Sequence, residues 1–195
     1  MTTSRSTDPT LFATNAGLRD ALRRAASALK AHGPEFALAG GYALWVYGAP
    51  EPAHDVDFAV AETDADAAAT TLENAGFTIE RTPEDWLFKA CINGAVVDVL
   101  HRINGMVVDS DLISSGESQE VLAIRMKVLS PTRVVTEKLC SLNEHRCDFA
   151  SLLPSVRAVR EQVDWDRVRA GTADNDFAVA FLVLTDRLGI TAASP

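Results

Sequence analysis

Two aspartates, Asp55 and Asp57, open the segment Asp55-Val56-Asp57-Phe58-Ala59-Val60, in which acidic or small residues alternate with apolar ones. A period of two marks a half-buried strand and places both carboxylates on one face. Two like charges side by side on a strand face are costly unless something neutralises them. Hard divalent cations do so, and magnesium prefers carboxylate oxygen. A third aspartate, Asp98, lies in another apolar run, Ala95 to Leu100, and could join the pair from a neighbouring strand. Three carboxylates can hold two metals roughly 3.5–4 Å apart, which aligns an attacking hydroxyl with a leaving pyrophosphate. Thirteen residues separate Asp55 from Gly40-Gly41, where the apolar run Phe36 to Ala39 stops ahead of a short helical pattern. A strand that ends in two glycines before a helix brings backbone N–H groups and the positive helix end close to a phosphate. Taken singly, Gly40-Gly41 also reads as a tight turn and the two aspartates as a solvated edge. Together they point to metal-assisted phosphate chemistry.

The elements that must position these residues follow from periodicity and punctuation. Asp8-Pro9 reads as a helix start, and Leu11, Leu18, Leu22 and Leu29 recur at helical spacing until His32-Gly33-Pro34. After the strand pattern Phe36 to Ala39 comes a short helix over Tyr42 to Tyr47, then the Asp55 strand. Thr63 to Ala75 is alanine-rich and helical, and Phe77 to Glu80 and Trp86 to Ile92 are strand-like. Asn93-Gly94 is a hairpin signal that folds Ala95 to Leu100 back antiparallel. Residues 104–120 read as loop, and Val121 to Leu129 as one further strand. From Ser130-Pro131 onward only helices are expected, over about 131–143, 148–153, 155–163, 164–170 and 175–188, with Pro154 as a break. The fold class is therefore α/β (α+β), with a mixed-sheet core over 1–129 and a helical C-terminal region over 130–195. In that region Lys138 borders a stripe of Val134, Val135, Leu139 and Leu142, from which its ammonium can reach into a cleft.

The composition narrows the classes. Hydrophobic residues make up 47% of 195 and charged residues 23%, enough to bury a core and unlike a disordered chain. No apolar run is long enough to span a membrane. The polar start, Met1 to Asp8, lacks the apolar core of a secretory signal, so a cytoplasmic location is expected. Cys91, Cys140 and Cys147 are too few and too scattered for a disulfide framework or a zinc site. The net charge of −9 argues against a general nucleic-acid coat protein. The basic residues, however, concentrate late in the chain. Arg157 and Arg160 are candidates for contacting an RNA backbone, unless they pair with acidic neighbours such as Glu161. Trp45, Trp86 and Trp165 fit core or boundary positions, and His54 and His101 fit the surface.

Gly-Gly, then Asp-x-Asp in a strand, then a later strand aspartate resembles the minimal nucleotidyltransferase superfamily with its DNA polymerase β-like core. Over roughly residues 35–160 the chain is more particularly similar to the AbiEii/MenT-type nucleotidyltransferase toxins of bacterial toxin–antitoxin systems. Val128-Leu129-Ser130-Pro131 followed by Lys138-Leu139 looks like that family's lysine helix. His145-Arg146-Cys147-Asp148-Phe149 looks like its arginine–aspartate motif. The resemblance implies Asp55 and Asp57 as metal ligands and Gly40-Gly41 as the triphosphate-contacting turn. It implies that Lys138 holds the triphosphate or acts on the attacking hydroxyl, and that Asp148 completes the site. Asp148 also reads as the N-cap of the next helix. Asp98 matches the third ligand of the wider superfamily more than it matches the toxin branch. Where relatives carry Arg-x-Thr before the aspartate pair, this chain has Pro52-Ala53-His54.

The resemblance further implies Mg²⁺ or Mn²⁺ as cofactor, an NTP as substrate, the 3′ end of tRNA as acceptor and a cognate antitoxin as partner. A homodimer is left open. Two other expectations stand beside it. An antibiotic nucleotidyltransferase would use the same core on a small-molecule hydroxyl, and a cationic aminoglycoside suits an acidic cleft. A non-catalytic nucleotide-binding module is the other, against which the retained aspartates and lysine argue.

Overall fold

The computed structural model describes residues 14–83 and 85–191. The expected helix start at Asp8-Pro9 lies outside them. Helix α1 (Asn15–His32) is described from its N-cap, where the Thr14 hydroxyl accepts from the Gly17 N–H. Its buried residues, Leu18, Ala21, Leu22, Ala25, Ala26 and Leu29, recur at three- and four-residue spacing and form one apolar stripe.

Strand β1 (Phe36–Ala39) runs directly into helix α2 (Gly40–Val46), and strand β2 (Val56–Val60) follows. A 3₁₀ turn leads to α3 (Ala65–Asn74), then β3 (Thr78–Arg81), β4 (Leu87–Ile92) and β5 (Ala95–Leu100). Two short strands, β6 (Arg102–Ile103) and β7 (Met106–Val107), precede α4 (Ser110–Ser114), β8 (Glu117–Val121) and β9 (Ile124–Val128). After Val128 the named elements among the described residues are all helical: α5 (Pro131–Cys140), α6 (Phe149–Val159), a 3₁₀ turn, α7 (Trp165–Gly171) and α8 (Asp176–Arg187). No described helix is long and apolar enough to cross a membrane.

Seven strands form one mixed sheet in the order β3-β4-β5-β2-β1-β9-β8. The pairs β2–β5 and β1–β9 are parallel, and the other neighbours are antiparallel. Helices α1 and α3 pack together on the sheet, while α2 contacts β2, α5 and α6. Val56, Phe58, Val97 and Val99 are buried in the core, and Asp57 and Asp98 alternate with them on the opposite face.

The segment 104–120, expected as loop, holds a hairpin, a helix and a strand. Asn104-Gly105 closes the β6–β7 hairpin with φ of 51° and 79°, and Asp109 caps α4 by accepting from the Leu112 N–H at 2.8 Å. The expected single strand Val121 to Leu129 is instead a hairpin arm, with Val121 paired to Ile124 across Leu122-Ala123. Both turn residues have positive φ, 50° and 64°, the twist of a two-residue hairpin, but neither is the Gly or Asn that usually marks one. Pro154 does not break α6, which continues through it. The carbonyl that loses its partner there belongs to exposed Ala150, which can bond to water.

The exposed turn residue Ala123 is held in the left-handed region at φ 64°. Ala123→Gly is expected to stabilise the fold by about 0.5–1 kcal/mol, since removal of Cβ strain exceeds the entropy lost by glycine. A higher urea midpoint with an unchanged m-value is the expected readout.

Candidate active site

The register of the sheet assembles the carboxylates. Ala39 pairs with Asp57, Asp57 with Asp98, Asp98 with Lys89, and Lys89 with Glu80. Register partners share a face, so these residues form one row across five strands. Asp55 lies two residues before Asp57 and joins it from the strand entry. One carboxylate oxygen from each of Asp55, Asp57 and Asp98 lies within 4.8 Å of the others. Asp55 and Asp57 are half-buried, and Asp98 is only 7% exposed.

Gly40 is bound to this row by two constraints. Its φ is +54°, and a Cβ there would fall inside the Asp57 carboxylate. The chain leaving β1 therefore turns into α2 directly over Asp57, and the Gly41 N–H donates to that carboxylate. Burial pushes the Asp57 carboxyl up to about 7, with the charge of Asp55 adding to it. Lys138 opposes the shift, Asp98 adds to it, and the Gly41 N–H opposes it. Burial also raises Asp98, against the hydrogen bond and charge of Lys89.

Two cavities flank the carboxylates. One, of about 360 Å³, is lined by Gly41, His54, Asp55, Lys138 and the α6 residues Ser151 and Ser155. The other, of about 520 Å³, is lined by Gly40, Asp57, Trp86, Arg102, Lys138 and Arg146, among others. Lys138 lines both, and each cavity takes one glycine of the pair and one aspartate of the Asp-x-Asp segment. The helical stretch from α5 to α6 thus forms the far wall of a cleft whose near wall is the sheet.

Of the expected site residues, Gly40, Gly41, Asp55, Asp57, Asp98 and Lys138 are brought together. Asp148 is not. It is exposed and serves as the N-cap of α6, accepting from the Ser151 N–H at 3.2 Å. Arg157 and Arg160 are exposed and line neither cavity, and Arg160 pairs with Glu161 at 3.0 Å. Trp45 and Trp165 pack against the core, whereas Trp86 is 41% exposed at the second cavity.

Sequence reasoning missed Lys89, whose Nζ donates to Asp98 Oδ1 at 2.9 Å and Oδ2 at 3.3 Å. The signal was present. A two-residue turn at Asn93-Gly94 pairs Ile92 with Ala95, and stepping outward by three places Lys89 opposite Asp98. Arg102 at the second cavity was also missed. It is held by Glu62 at 2.5 Å, a contact forty residues away in sequence that no local pattern announces.

A mixed sheet with three clustered carboxylates beneath a strand–Gly-Gly–helix turn is the architecture of the nucleotidyltransferases. The chain belongs to the family described as nucleotidyl transferase of unknown function (DUF2204), whose model matches residues 18–172. No curated protein matches it in sequence. Among solved structures it is similar in fold to the antibiotic-resistance factor ANT(2″)-Ia, at 12% identity over 90% of this chain and 99% of that one, with a TM-score of 0.61. An antigenic nucleotidyltransferase-like protein from Paracoccidioides brasiliensis gives 14% identity, 91% and 94% coverage, and a TM-score of 0.58. A Thermotoga maritima protein described as a putative nucleotidyltransferase gives 18% identity, 73% and 94% coverage, and a TM-score of 0.53.

A carboxyl raised in the folded state prefers its proton there, so the folded chain holds more protons than the unfolded one. The cation-free protein is therefore expected to lose stability as pH rises from about 4 to about 7, the window between the ordinary and the folded values for Asp57. Asp57→Asn removes that group, and its melting temperature should fall less over the same range. Thermal melts in chelator test this, and parallel pH profiles would exclude Asp57 as the source.

Proposed function

We propose that this nucleotidyltransferase uses a divalent cation, Mg²⁺ or Mn²⁺, to move a nucleoside monophosphate from an NTP to the 3′ end of tRNA. That reaction blocks aminoacylation, as the toxins it resembles imply. The observation that carries the proposal is the convergence of Lys138 and Arg146 on the cavity lined by Gly40 and Asp57. Both come from the two stretches that resemble the toxins. In this reading 1–129 is the catalytic core, and the helices of 130–195 close the cleft over it. A cognate antitoxin and a cytoplasmic site of action belong to the same proposal.

The residues fit a hard cation. Asp55, Asp57 and Asp98 offer carboxylate oxygens within 4.8 Å of one another, and burial raises Asp57, with the charges of Asp55 and Asp98 adding to it. When bound, the cation neutralises the triphosphate and acidifies the attacking hydroxyl. Gly40-Gly41 presents the start of α2 to the phosphates, and Lys138 and Arg146 hold them from the opposite wall. The acceptor oxygen bonds to the α-phosphorus as the bond to pyrophosphate breaks. The first cavity, which carries Asp55 and the α6 serines, takes the acceptor. Arg157 follows on the same helix, next to buried Val156 of that cavity wall, where an incoming RNA backbone would pass. Alignment and fixed charge supply most of the acceleration.

A second acceptor is favoured by two observations. The net charge is −9, and ANT(2″)-Ia, similar in fold over 99% of its own length, has been solved with adenylyl-2″-tobramycin. A cationic small molecule would enter the first cavity between Glu51 and Asp55.

Incubation with each labelled NTP, Mg²⁺ and total RNA should label a tRNA-sized band. Asp55→Ala and Asp57→Ala should each abolish the label while the circular dichroism spectrum is kept. Near wild-type transfer by either variant would overturn the cation-assisted reading. Label on an aminoglycoside and on no RNA would assign the second acceptor.

Neutralising Arg157 and Arg160 together should weaken tRNA binding and flatten its salt dependence, because fewer counterions are released. NTP affinity should stay nearly unchanged, since neither arginine lines a cavity. Binding measured across a salt series checks this, and an identical slope for both proteins removes the arginines from the RNA path.

A further inference from the structure

We infer that Lys89 stands in for a second metal ion, so that the site holds a single divalent cation between Asp55 and Asp57 while the Lys89 ammonium neutralises Asp98. This deepens the cation-dependent transfer proposed above and rests on it.

The register row makes the case. From β3 to β2 the shared face carries Glu80, Lys89, Asp98 and Asp57. Lys89 thus has an acidic partner on each side, and its ammonium goes to Asp98, 2.9 Å and 3.3 Å from the two carboxylate oxygens. One ammonium therefore contacts both Asp98 oxygens and neutralises the charge that would otherwise draw a second metal.

That pairing is held by burial and by the backbone. The Asp98 side chain is only 10% exposed, so withdrawing the ammonium would leave a nearly buried carboxylate without its counter-charge. The β4–β5 hairpin, closed by Asn93-Gly94 with φ of 50° and 77°, keeps Lys89 opposite Asp98. The Lys89 side chain is 36% exposed, and its stem crosses the sheet surface to reach the acid.

A divalent ion placed between Asp57 and Asp98 would share the Asp98 carboxylate with the ammonium. It would have to expel the lysine or bear its repulsion. Among the described residues no ammonium stands within ion-pair distance of Asp55 or Asp57, which Lys89 and Lys138 reach only through their charge. Lys138 approaches Asp57 from α5, and Gly41 donates only an N–H. Lys89 is thus a positioning residue: it acts through Asp98, setting its charge and orientation, and touches no reacting group.

Mn²⁺ alone is the probe, read by equilibrium dialysis and by electron paramagnetic resonance, where two ions held about 4 Å apart by shared ligands couple magnetically and one does not. Wild type is expected to bind one Mn²⁺ per chain with an uncoupled spectrum, and Asp55→Ala should lose it. Lys89→Met should take up a second ion and show coupling, and Lys89→Arg should return to one. If Lys89→Met does not fold, wild type and Asp98→Asn decide. Asp98→Asn should still bind a single, uncoupled ion, because Lys89 and not the metal holds that carboxylate in the wild type.

A coupled pair in the wild type, or one ion in a folded Lys89→Met, overturns the inference and leaves cation-dependent transfer standing. Loss of the wild-type ion in Asp98→Asn overturns it as well. Absence of any Mn²⁺ bound at the aspartates, with wild type and Asp55→Ala alike, overturns the cation-dependent reading itself and this inference with it.

Discussion

Asp57 is crowded from every side. Its partners in the sheet are Ala39 and Asp98, the turn into α2 passes directly over its carboxylate, and Asp55 shares its face. A half-buried carboxylate beside two others is unstable on its own, and this is why burial and its neighbours push its carboxyl up to about 7. Much of the remaining structure reads as the means of holding that arrangement. Gly40 is required because no side chain fits above Asp57, and the Gly41 N–H and Lys138 answer part of its charge. The hairpin β4–β5 answers Asp98 with Lys89.

The sheet and the helical stretch divide the labour. The strands place acids, since register is strict and a slip by one residue would carry Asp57 into the core and Phe58 out of it. The helices place Lys138 and give the cleft its shape. Helix α5 buries Val134, Val135 and Leu139 and leaves Lys138 at the junction of the two cavities. Helix α6 tolerates Pro154 and walls the first cavity with Ser151 and Ser155. A net charge of −9 is thus compatible with phosphate chemistry, because the cations needed sit locally at the cleft.

Several features were legible in the chain because their causes are local. The alternation from Asp55 to Val60 is a property of six consecutive residues, and so is the Asn93-Gly94 turn. Ser130-Pro131 announced α5, whose N-cap hydroxyl accepts from the Arg133 N–H. The turn at Leu122-Ala123 was hidden because its residues do not favour the positive φ they adopt, and pairing of β8 with β9 imposes it. The β6–β7 hairpin carries Asn104-Gly105 and was overlooked because its strands are only two residues long.

By itself the sequence determined the identity of the acids, the glycine pair, the lysine helix and the strand patterns that carry them, because periodicity and turn chemistry act over a few residues. Only the tertiary structure decided which groups meet. It paired Lys89 with Asp98 and set Lys138 and Arg146 on one wall of a cleft. It also left Asp148, whose local role as a helix cap prevails, outside the carboxylate cluster. These are through-space facts. They depend on the order of strands in the sheet and on the packing of α5 and α6 against α2, which no short stretch of chain encodes.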